Sequence, residues 1–527
     1  MNRPTLLTGV LVIIVVGVAA YLNSLGGALF WDDEITVINN VFIRSPHFLR
    51  DVFLSSYHSG GGETVSFYRP LATVSFMLDY HLWRLDSFGY HLTNILLHVA
   101  NALLLFWLVQ ALFKDAWGTG LITALFFVVH PVNSEAVNYI SNRTDLMMFF
   151  FLLCSFSLYL LYRERGKPIL LVLSIIGYAG SILSKEMGLV LPLLFFPADS
   201  LRNRSTPIRS LWGYLAVFIV YVTLRATVLN FLHLNFLTQG AQAEPFSSDV
   251  VVRFLTFAKA HVTYVRLFFL PVNLHMEYDN PNVGSRLDPE GWLAAALLGA
   301  MGCAVWLLGR RDPRIRFGGA WYFLGLLPVC GIVPINNVLG EHYLYLASGG
   351  FFLVLASLLL RAFEAQPRKI PAAAAFAGIV VLLGGITVER NQDWANPLAM
   401  YLDIAHHTKR SFRANNNAGV EFFRRGNKEK ADLYFKRALL ILPTYSEALN
   451  NRGVIEEEKG NLAEALKLYQ EALRSRPDYP LARRNLAKIF IKTGRLPEAR
   501  DQLLWVLQYY PHDVEAQGLL TVVKSGK

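Results

Sequence analysis

Three adjacent carboxylates, Asp32, Asp33 and Glu34, follow the first apolar segment of the chain. Neighbouring carboxylates raise one another's pKa, which favours a general base or a metal site. Consecutive side chains usually point in different directions, so we expect only one of the aspartates to take a proton from a hydroxyl nucleophile. Asp33 is slightly favoured as that base and Asp32 is kept open, while the other carboxylate would orient it or bind a divalent cation. Acids that merely keep a loop soluble are the plain alternative.

Further ionisable and aromatic residues recur at the ends of apolar segments, and these clusters all fall on one predicted side of the membrane. Ionisable residues beside a membrane span are functional candidates by default. Arg143 and Lys185 are expected to hold the phosphate oxygens of a lipid-linked substrate. A lone histidine in such a place is more often a satisfied bundle residue than a ligand. The predicted substrate-binding residues are Arg69, His91, His130, Glu135, Arg143, Asp145, Lys185, Glu186, Glu341, His342 and Tyr343.

Membrane-spanning helices are the elements that must position these residues. Hydrophobic residues make up 54% of the 527 residues and charged residues only 17%, whereas soluble proteins average about 25% charged residues. A helix needs about 20 residues to cross a hydrocarbon core of about 30 Å. Apolar segments of about that length predict some eleven spans, and the first is interpreted as a retained anchor rather than a cleaved signal peptide. The predicted spans are 5–22, 89–113, 117–133, 145–162, 168–184, 187–199, 211–229, 291–308, 317–335, 343–361 and 371–388.

Basic loops orient these helices, because loops rich in arginine and lysine face the cytoplasm. An odd number of spans then places the N-terminus inside and everything after residue 388 outside. Segment 250–271 is apolar but carries three basic residues and a histidine, so we interpret it as an interfacial or re-entrant helix on the outer face. If it spans, the count becomes twelve and the C-terminal domain lies inside. The basic loops contain Lys114, Arg163–Lys167, Arg202–Arg204, Arg310–Arg316 and Arg368–Lys369.

The C-terminal part repeats with a period of 34 residues, as Gly426, Gly460 and Gly494 show. Alanines and prolines recur at the same spacing, at Ala431, Ala465, Ala499, Pro443, Pro477 and Pro511. A 34-residue period with small residues at helix contacts and proline at the exit is typical of tetratricopeptide (TPR) helix pairs. Stacked pairs form a concave groove, which predicts binding of an extended peptide. A structural cap or a dimerisation unit is the alternative.

These patterns predict an all-α protein with a polytopic membrane helix bundle followed by a TPR α-solenoid. The membrane domain covers 1–388 and includes a long first outer loop at 23–88. A linker follows at 389–414. The array would contain three repeats, at about 415–443, 444–477 and 478–511, and a C-terminal capping helix within 415–527.

Several motifs resemble one known family, the transmembrane-and-TPR O-mannosyltransferases with their bacterial relatives. The resemblance covers nearly the whole chain, and the order of the motifs is preserved. Two departures are visible, because His342 stands where the family usually has arginine, and the array has only three repeats. The matching stretches are WDDE at 31–34, YRPL at 68–71, GYHLTNILLH at 89–98, HPVNSEAV at 130–137, NRTD at 142–145, SKE at 184–186, EHYLYLASGG at 341–350 and NQDW at 391–394.

The resemblance implies a GT-C glycosyltransferase that moves a sugar, mannose or a similar hexose, from a polyprenyl-phosphate donor to a protein hydroxyl outside the cytosol. In that family an acidic pair in the first outer loop is the base or supports it, and Asp32 and Asp33 match the pair, with Glu34 able to substitute in register. The expected reaction is direct displacement at the anomeric carbon, with Arg143, Lys185 and His130 stabilising the departing lipid phosphate. The donor's own charge makes cationic help more important than acid catalysis.

The implied partners are a polyprenyl-phosphate-linked sugar, an exported protein acceptor in the TPR groove and membrane lipids. Nucleic acid is not expected, because the basic residues interleave with acids along helix surfaces. No cofactor is fixed by the residues, a divalent cation stays open, and metal ligands are unknown. The expected location is a bacterial inner membrane with the TPR array on the extracytoplasmic side.

Two other functions are kept beside this one. A non-enzymatic membrane scaffold would use only the TPR groove, and a glycan ligase or polymerase would use a lipid-linked oligosaccharide. A transporter is disfavoured, because its polar residues would lie at the midplane and not at one face.

Overall fold

The structure is a computed structural model that describes residues 3–63, 65–113, 116–227, 249–279, 281, 283–332, 338–364 and 369–525. Two residues of the predicted basic loops, Lys114 and Arg368, lie outside this described part. So do the ends of two predicted spans, 228–229 and 333–335. Throughout the described ranges the regular elements are helical, as the sequence predicts, and strands are absent from them.

In the described ranges, sixteen α-helices precede the repeat array. They include short outer helices as well as long apolar ones. In chain order they are α1 (Arg3–Tyr21), α2 (Leu49–Leu54), α3 (Pro70–Trp83), α4 (Ser87–Leu112), α5 (Trp117–Val129), α6 (Ser134–Asn138), α7 (Arg143–Arg165), α8 (Pro168–Ser184), α9 (Leu191–Leu201), α10 (Ile208–Ala226), α11 (Val250–Phe269), α12 (Pro289–Gly309), α13 (Pro313–Leu326), α14 (Leu344–Glu364), α15 (Lys369–Asp393) and α16 (Pro397–His407).

Seven of the described helices, α1, α4, α7, α10, α12, α14 and α15, are long and apolar enough to cross a membrane. Helices α5 and α6 would form an eighth span with a bend of 56° at Pro131, where proline lacks the N–H that would continue the helix. Helices α8, α9 and α13 occupy the remaining predicted spans with 17, 11 and 14 residues. The polytopic helix bundle is therefore confirmed, and the count of eleven stays a prediction.

Helix α11 is the segment interpreted as interfacial or re-entrant. Its apolar side packs against α12 and the bundle, and Tyr264 and Leu267 are fully buried there. Its charged residues lie on the same helix. The packing therefore does not test whether this helix spans the membrane or lies at its surface.

Local sequence fixes where many of these helices begin. Proline has the helical φ already set and has no N–H to lose at the first turn, and α3, α8, α12, α13 and α16 all start with it. Aspartate caps other first turns, as where Asp86 accepts the backbone N–H of Phe88 at 3.1 Å. Such caps contribute about 1 kcal/mol each.

Three aromatic rings form the centre of the bundle. Phe127 of α5, Phe149 of α7 and Tyr345 of α14 are fully buried, and their ring centroids lie 5.1–5.5 Å apart. Close backbone contact joins α13 to α14, because a Cβ added at Gly318 would lie 2.8 Å from the carbonyl oxygen of Gly350. Small residues permit this approach in membrane bundles, where dispersion and not water drives helix association.

Seven helices form the C-terminal array, and the predicted TPR solenoid is confirmed. Gly426, Gly460 and Gly494 have φ of +77°, +83° and +74° and end the first helix of each pair, a conformation that glycine adopts without a Cβ clash. The helices are α17 (Phe412–Arg424), α18 (Lys428–Ile441), α19 (Ser446–Glu458), α20 (Leu462–Ser475), α21 (Pro480–Lys492), α22 (Leu496–Tyr509) and the final α23 (Val514–Ser525).

A second glycine position allows the paired helices to touch. A Cβ added at Gly453 would lie 2.6 Å from the ring of Tyr469. We therefore expect Gly453→Val to destabilise the α19–α20 pair by about 1–3 kcal/mol, the usual cost of overpacking. Hydrogen exchange of the amides in 446–475 would report the loss of protection. Gly518→Ala is the matched control, because a Cβ there has open space, and equal exchange in both variants would contradict this packing.

Candidate active site

The acidic triplet lies at a sharp turn just after the first membrane helix. Trp31 has a φ of +58°, which is uncommon for a residue other than glycine and is held only when surrounding structure determines it. Its ring packs against Tyr401 with centroids 5.5 Å apart. This turn aims the next two side chains, Asp32 and Asp33, into different surroundings.

Asp33 is fully buried and its carboxylate is held by the protein. Its Oδ1 accepts hydrogen bonds from the backbone N–H and the hydroxyl of Ser141 at 2.8 and 2.5 Å. Its Oδ2 accepts the N–H of Phe30 at 3.3 Å. Burial raises the pKa of Asp33 to about 7, although the hydrogen bonds from Ser141 and Phe30 act in the opposite direction. Asp33 thus joins the first outer loop to the turn before α7.

Asp32 is only partly buried, in contrast to its neighbour. Its backbone is fixed, because its N–H donates to the hydroxyl of Tyr139 at 2.9 Å and its carbonyl accepts from Thr36 at 2.9 Å. Its carboxylate interacts electrostatically with Arg413 and His58. Of the two aspartates, Asp32 is therefore the one that is not fully buried, and hydrogen bonds hold its backbone in place.

Glu34 pairs with the TPR array. Its Oε1 accepts from Nη2 of Arg424 in α17 at 2.6 Å. A second contact joins Glu63 of the same outer loop to Arg476 at 3.4 Å. The array therefore lies against the loop that carries the acidic triplet.

Four aromatic rings pack against one another beneath this turn. Phe30 lies 6.2 Å from Tyr139, 5.8 Å from Trp394 and 5.9 Å from Tyr401, measured between ring centroids. These rings come from the first loop, the turn before α7, the end of α15 and α16. The tryptophan of the NQDW motif thus has a packing role, and the neighbouring Asn391 bonds Asn138 at 2.7 Å.

Arg143, predicted to bind phosphate, begins α7 and is fully buried. Its Nη1 pairs with Asp79 at 2.6 Å, its Nε donates to Asn94 at 2.8 Å, and its Nη2 donates to the carbonyl of Tyr90 at 2.9 Å. All three nitrogens are engaged within the protein, so this guanidinium ties α3, α4 and α7 together.

Two further cations of the prediction form a group with their carboxylates. Lys185 Nζ lies 2.6 Å from Asp145 Oδ2, with both side chains buried. Arg69 pairs with Glu186 through two bonds of 2.8 and 3.4 Å. Burial raises the pKa of the Glu186 carboxyl but the Arg69 charge outweighs it and lowers the pKa to about 2. Tyr343 lies beside this group, with its ring 6.0 Å from the lysine ammonium.

The two remaining acids, Glu135 and Glu341, are close enough to interact electrostatically. Glu135 accepts from His342 at 2.7 Å and from Asn142 at 3.1 Å. Glu341 is fully buried and accepts from the hydroxyl of Tyr278 at 2.5 Å. Within the described ranges, one carboxylate oxygen of each acid accepts no hydrogen bond.

Two of the predicted histidines, His91 and His130, are buried. His130 Nε2 lies 3.0 Å from the carbonyl of Phe268 while its Nδ1 accepts the N–H of Val132. His91 is buried against Gly27, where a Cβ would lie 2.5 Å from its Nε2. The structure therefore brings the acidic turn and the Lys185 group to the end of the bundle where α7 begins, through Ser141 and Asp145, and gives these two histidines contacts of their own.

Several residues of this site carry no signal in the sequence. Ser141, Asp79 and Tyr278 act through partners that are distant in the chain. Tyr139 and Ser141 lie between the HPVNSEAV and NRTD motifs. This position in the sequence is the one feature that relates them to the site.

The comparisons with known proteins agree with the resemblance of the motifs. Two tetratricopeptide repeat models match residues 416–480 and 457–523. Protein O-mannosyl-transferase F38B6.6 of Caenorhabditis elegans is 25% identical over 83% of this chain and 63% of its own length. Protein O-mannosyl-transferase TMTC3 of Mus musculus is 24% identical over 82% of this chain and 51% of its own length.

A shorter match with higher identity is protein O-mannosyl-transferase tmtc2 of Xenopus laevis, 36% identical over 27% of this chain and 18% of its own length. The chain spans about half to two thirds of the length of the first curated relatives. The solved APC/C hetero-tetramer Cut9–Hcn1 aligns with a TM-score of 0.27 at 13% identity, over 86% of this chain and 96% of that one, which is too low to bear on the fold. The predicted resemblance to the O-mannosyltransferases is thus confirmed.

The Arg143–Asp79 pair leads to a stability prediction. We expect Asp79→Asn to lower the free energy of unfolding by about 3–5 kcal/mol, because it leaves a buried guanidinium without its counter-charge. The temperature at which the protein in detergent loses its monodisperse peak on gel filtration would measure this. Glu164→Gln is the matched control, since Glu164 pairs with Arg202 at 3.0 Å but is 49% exposed, and exposed pairs contribute about 1 kcal/mol or less. Equal shifts in the two variants would contradict the role of the buried pair.

Proposed function

We propose that this chain is a membrane glycosyltransferase that moves mannose or a similar hexose from a polyprenyl-phosphate donor to a hydroxyl of an exported protein. The observation that carries the proposal is the pair of adjacent aspartates, of which Asp33 is fully buried and hydrogen-bonded and Asp32 is only partly buried. The chemistry proposed for this pair agrees with the names of the relatives, which are O-mannosyl-transferases similar over four fifths of this chain.

We assign Asp32 as the general base. It takes the proton of the acceptor hydroxyl while that oxygen attacks the anomeric carbon of the sugar. The bond between the anomeric carbon and the phosphate oxygen breaks, and its electron pair leaves with the polyprenyl phosphate. Asp33 is assigned a positioning role, because both of its oxygens already accept hydrogen bonds.

We assign the phosphate to the neighbourhood of Lys185 and Arg69. An ammonium has three N–H donors, and within the described part of the chain Lys185 makes one ion pair, to Asp145. Its remaining donors can meet a phosphate oxygen. Arg143 was a phosphate candidate in the sequence, and we now assign it to holding the helices, because its three nitrogens are engaged.

The TPR groove is proposed to bind the protein acceptor. Two ion pairs join the array to the loop with the acidic turn, Arg424–Glu34 and Arg476–Glu63. A peptide lying in the groove would therefore reach Asp32 over a short path. This model requires the membrane domain to lie in a bacterial inner membrane and the array to lie outside the cytoplasm. The basic loops predict that side for the array.

Substitution of Asp32 tests the assignment of the base. Asp32→Asn keeps the shape and removes the charge, so we expect turnover to fall by about 10²–10⁴-fold. Transfer of labelled mannose from a polyprenyl-phosphate donor to exported protein would measure it. Glu34→Gln is the control, because Glu34 pairs with Arg424, and we expect a much smaller loss. A folded Asp32→Asn variant with normal turnover would exclude Asp32 as base, and a normal Asp32→Asn/Asp33→Asn double variant would favour the scaffold.

The side of the membrane is tested separately. An alkaline phosphatase fused after the last residue should be active, because this enzyme works only outside the cytoplasm of a bacterium. A cytoplasmic reporter at the same site should be inactive. The reverse pattern would place the array in the cytoplasm. It would exclude the model in which the TPR groove binds an exported acceptor, whatever the outcome for Asp32.

A further inference from the structure

A histidine–aspartate cluster lies outside the site described above. His275 follows α11, and Asp403 and His407 lie one turn apart on α16, the helix that leads into the TPR array. One ligand atom from each residue lies within 4.8 Å of those of the other two. This cluster takes no part in the proposed reaction.

The geometry of the cluster is convergent. Nδ1 of His275 lies 3.1 Å from Oδ2 of Asp403, and Nδ1 of His407 lies 3.1 Å from Oδ1 of the same carboxylate. The two imidazole rings stack with centroids 4.6 Å apart. Zinc binds histidine nitrogen and carboxylate oxygen at about 2.0–2.2 Å in a tetrahedron, which places its ligand atoms about 3.3 Å apart. The two nitrogen–oxygen separations of 3.1 Å are close to that value.

The surroundings suit an exchangeable ion. The side chain of His275 is 12% exposed, whereas those of Asp403 and His407 are 47% and 44% exposed. The inner ligand is therefore fixed while one side stays open to solvent for entry and for a fourth, water ligand. Two imidazoles and one carboxylate favour zinc over the all-oxygen shells of magnesium and calcium.

We propose that His275, Asp403 and His407 bind one zinc ion that clamps the segment after α11 to α16. The same segment already contacts the start of the array, because Glu277 accepts from the hydroxyl of Ser411 at 2.5 Å and its carbonyl accepts from that of Thr408 at 2.9 Å. It also reaches the outer-face acids, since the N–H of His275 donates to Tyr278, which donates to Glu341. The ion would thus fix the angle at which the array meets the membrane domain.

Zinc binding by the full chain in lipid nanodiscs tests this proposal. The protein carries no polyhistidine tag, is stripped with a chelator, and is titrated with zinc against a chromogenic chelator. We expect one equivalent of zinc. We expect His275→Gln and His407→Gln to weaken it at least about tenfold, the loss found even for outer-shell partners of a metal. Glutamine keeps a hydrogen-bond donor for Asp403 and lacks the imidazole, and gel filtration shows that each variant is folded.

His406→Ala is the matched control, because His406 neighbours His407 on α16 but is not part of the cluster. It should bind zinc as the parent chain does. Absence of stoichiometric binding in the parent, or an equal loss in the His406→Ala variant, would overturn the proposal. Magnesium at the same concentration as zinc should not displace zinc from the cluster. Displacement of zinc by magnesium would also overturn the assignment. None of these readouts depends on glycosyl transfer, so their failure is separate from failure of the proposed function.

Discussion

The hydrogen bonds between Asp33 and Ser141 join segments that are 108 residues apart in the chain, and the remaining outer face is arranged around them. Ser141 precedes Arg143, whose guanidinium holds α3 and α4 to the start of α7. The first loop is thereby attached to the start of α7, where Arg143 holds three helices together. Because the carboxylate of Asp33 serves this attachment, its partly buried neighbour Asp32 is left for the acceptor.

The sequence predicted the elements well and the roles of individual side chains less well. Membrane helices follow from the length of apolar segments, and the array follows from a 34-residue period, because both are local patterns. Asp32 and Asp33 are identical neighbours, and the complete burial of Asp33 but not of Asp32 depends on the left-handed turn at Trp31 and on Ser141. Likewise Arg143 looked available for phosphate until Asp79, which no motif marks, was found to neutralise it.

The array meets the membrane domain through contacts that are individually weak. Arg424 is 50% exposed in its pair with Glu34, and such pairs contribute about 1 kcal/mol or less each. The covalent connection through α16 changes this balance, because it turns docking into an intramolecular event at high effective concentration. Stacked rings around Trp394 then fix the base of α16, so few and modest ion pairs are enough to set where the groove lies.

The two residues of the Glu34–Arg424 ion pair are synthesised at very different times. Glu34 and Arg424 are 390 residues apart, and at a synthesis rate of about 5–20 residues per second the arginine follows the glutamate by roughly 20–80 seconds. During that interval the acidic turn is already attached to its first helix but has no array above it. The polar character of the turn therefore serves the nascent chain as well as the finished one, since an uncovered apolar loop would be exposed to aggregation for the whole of that delay.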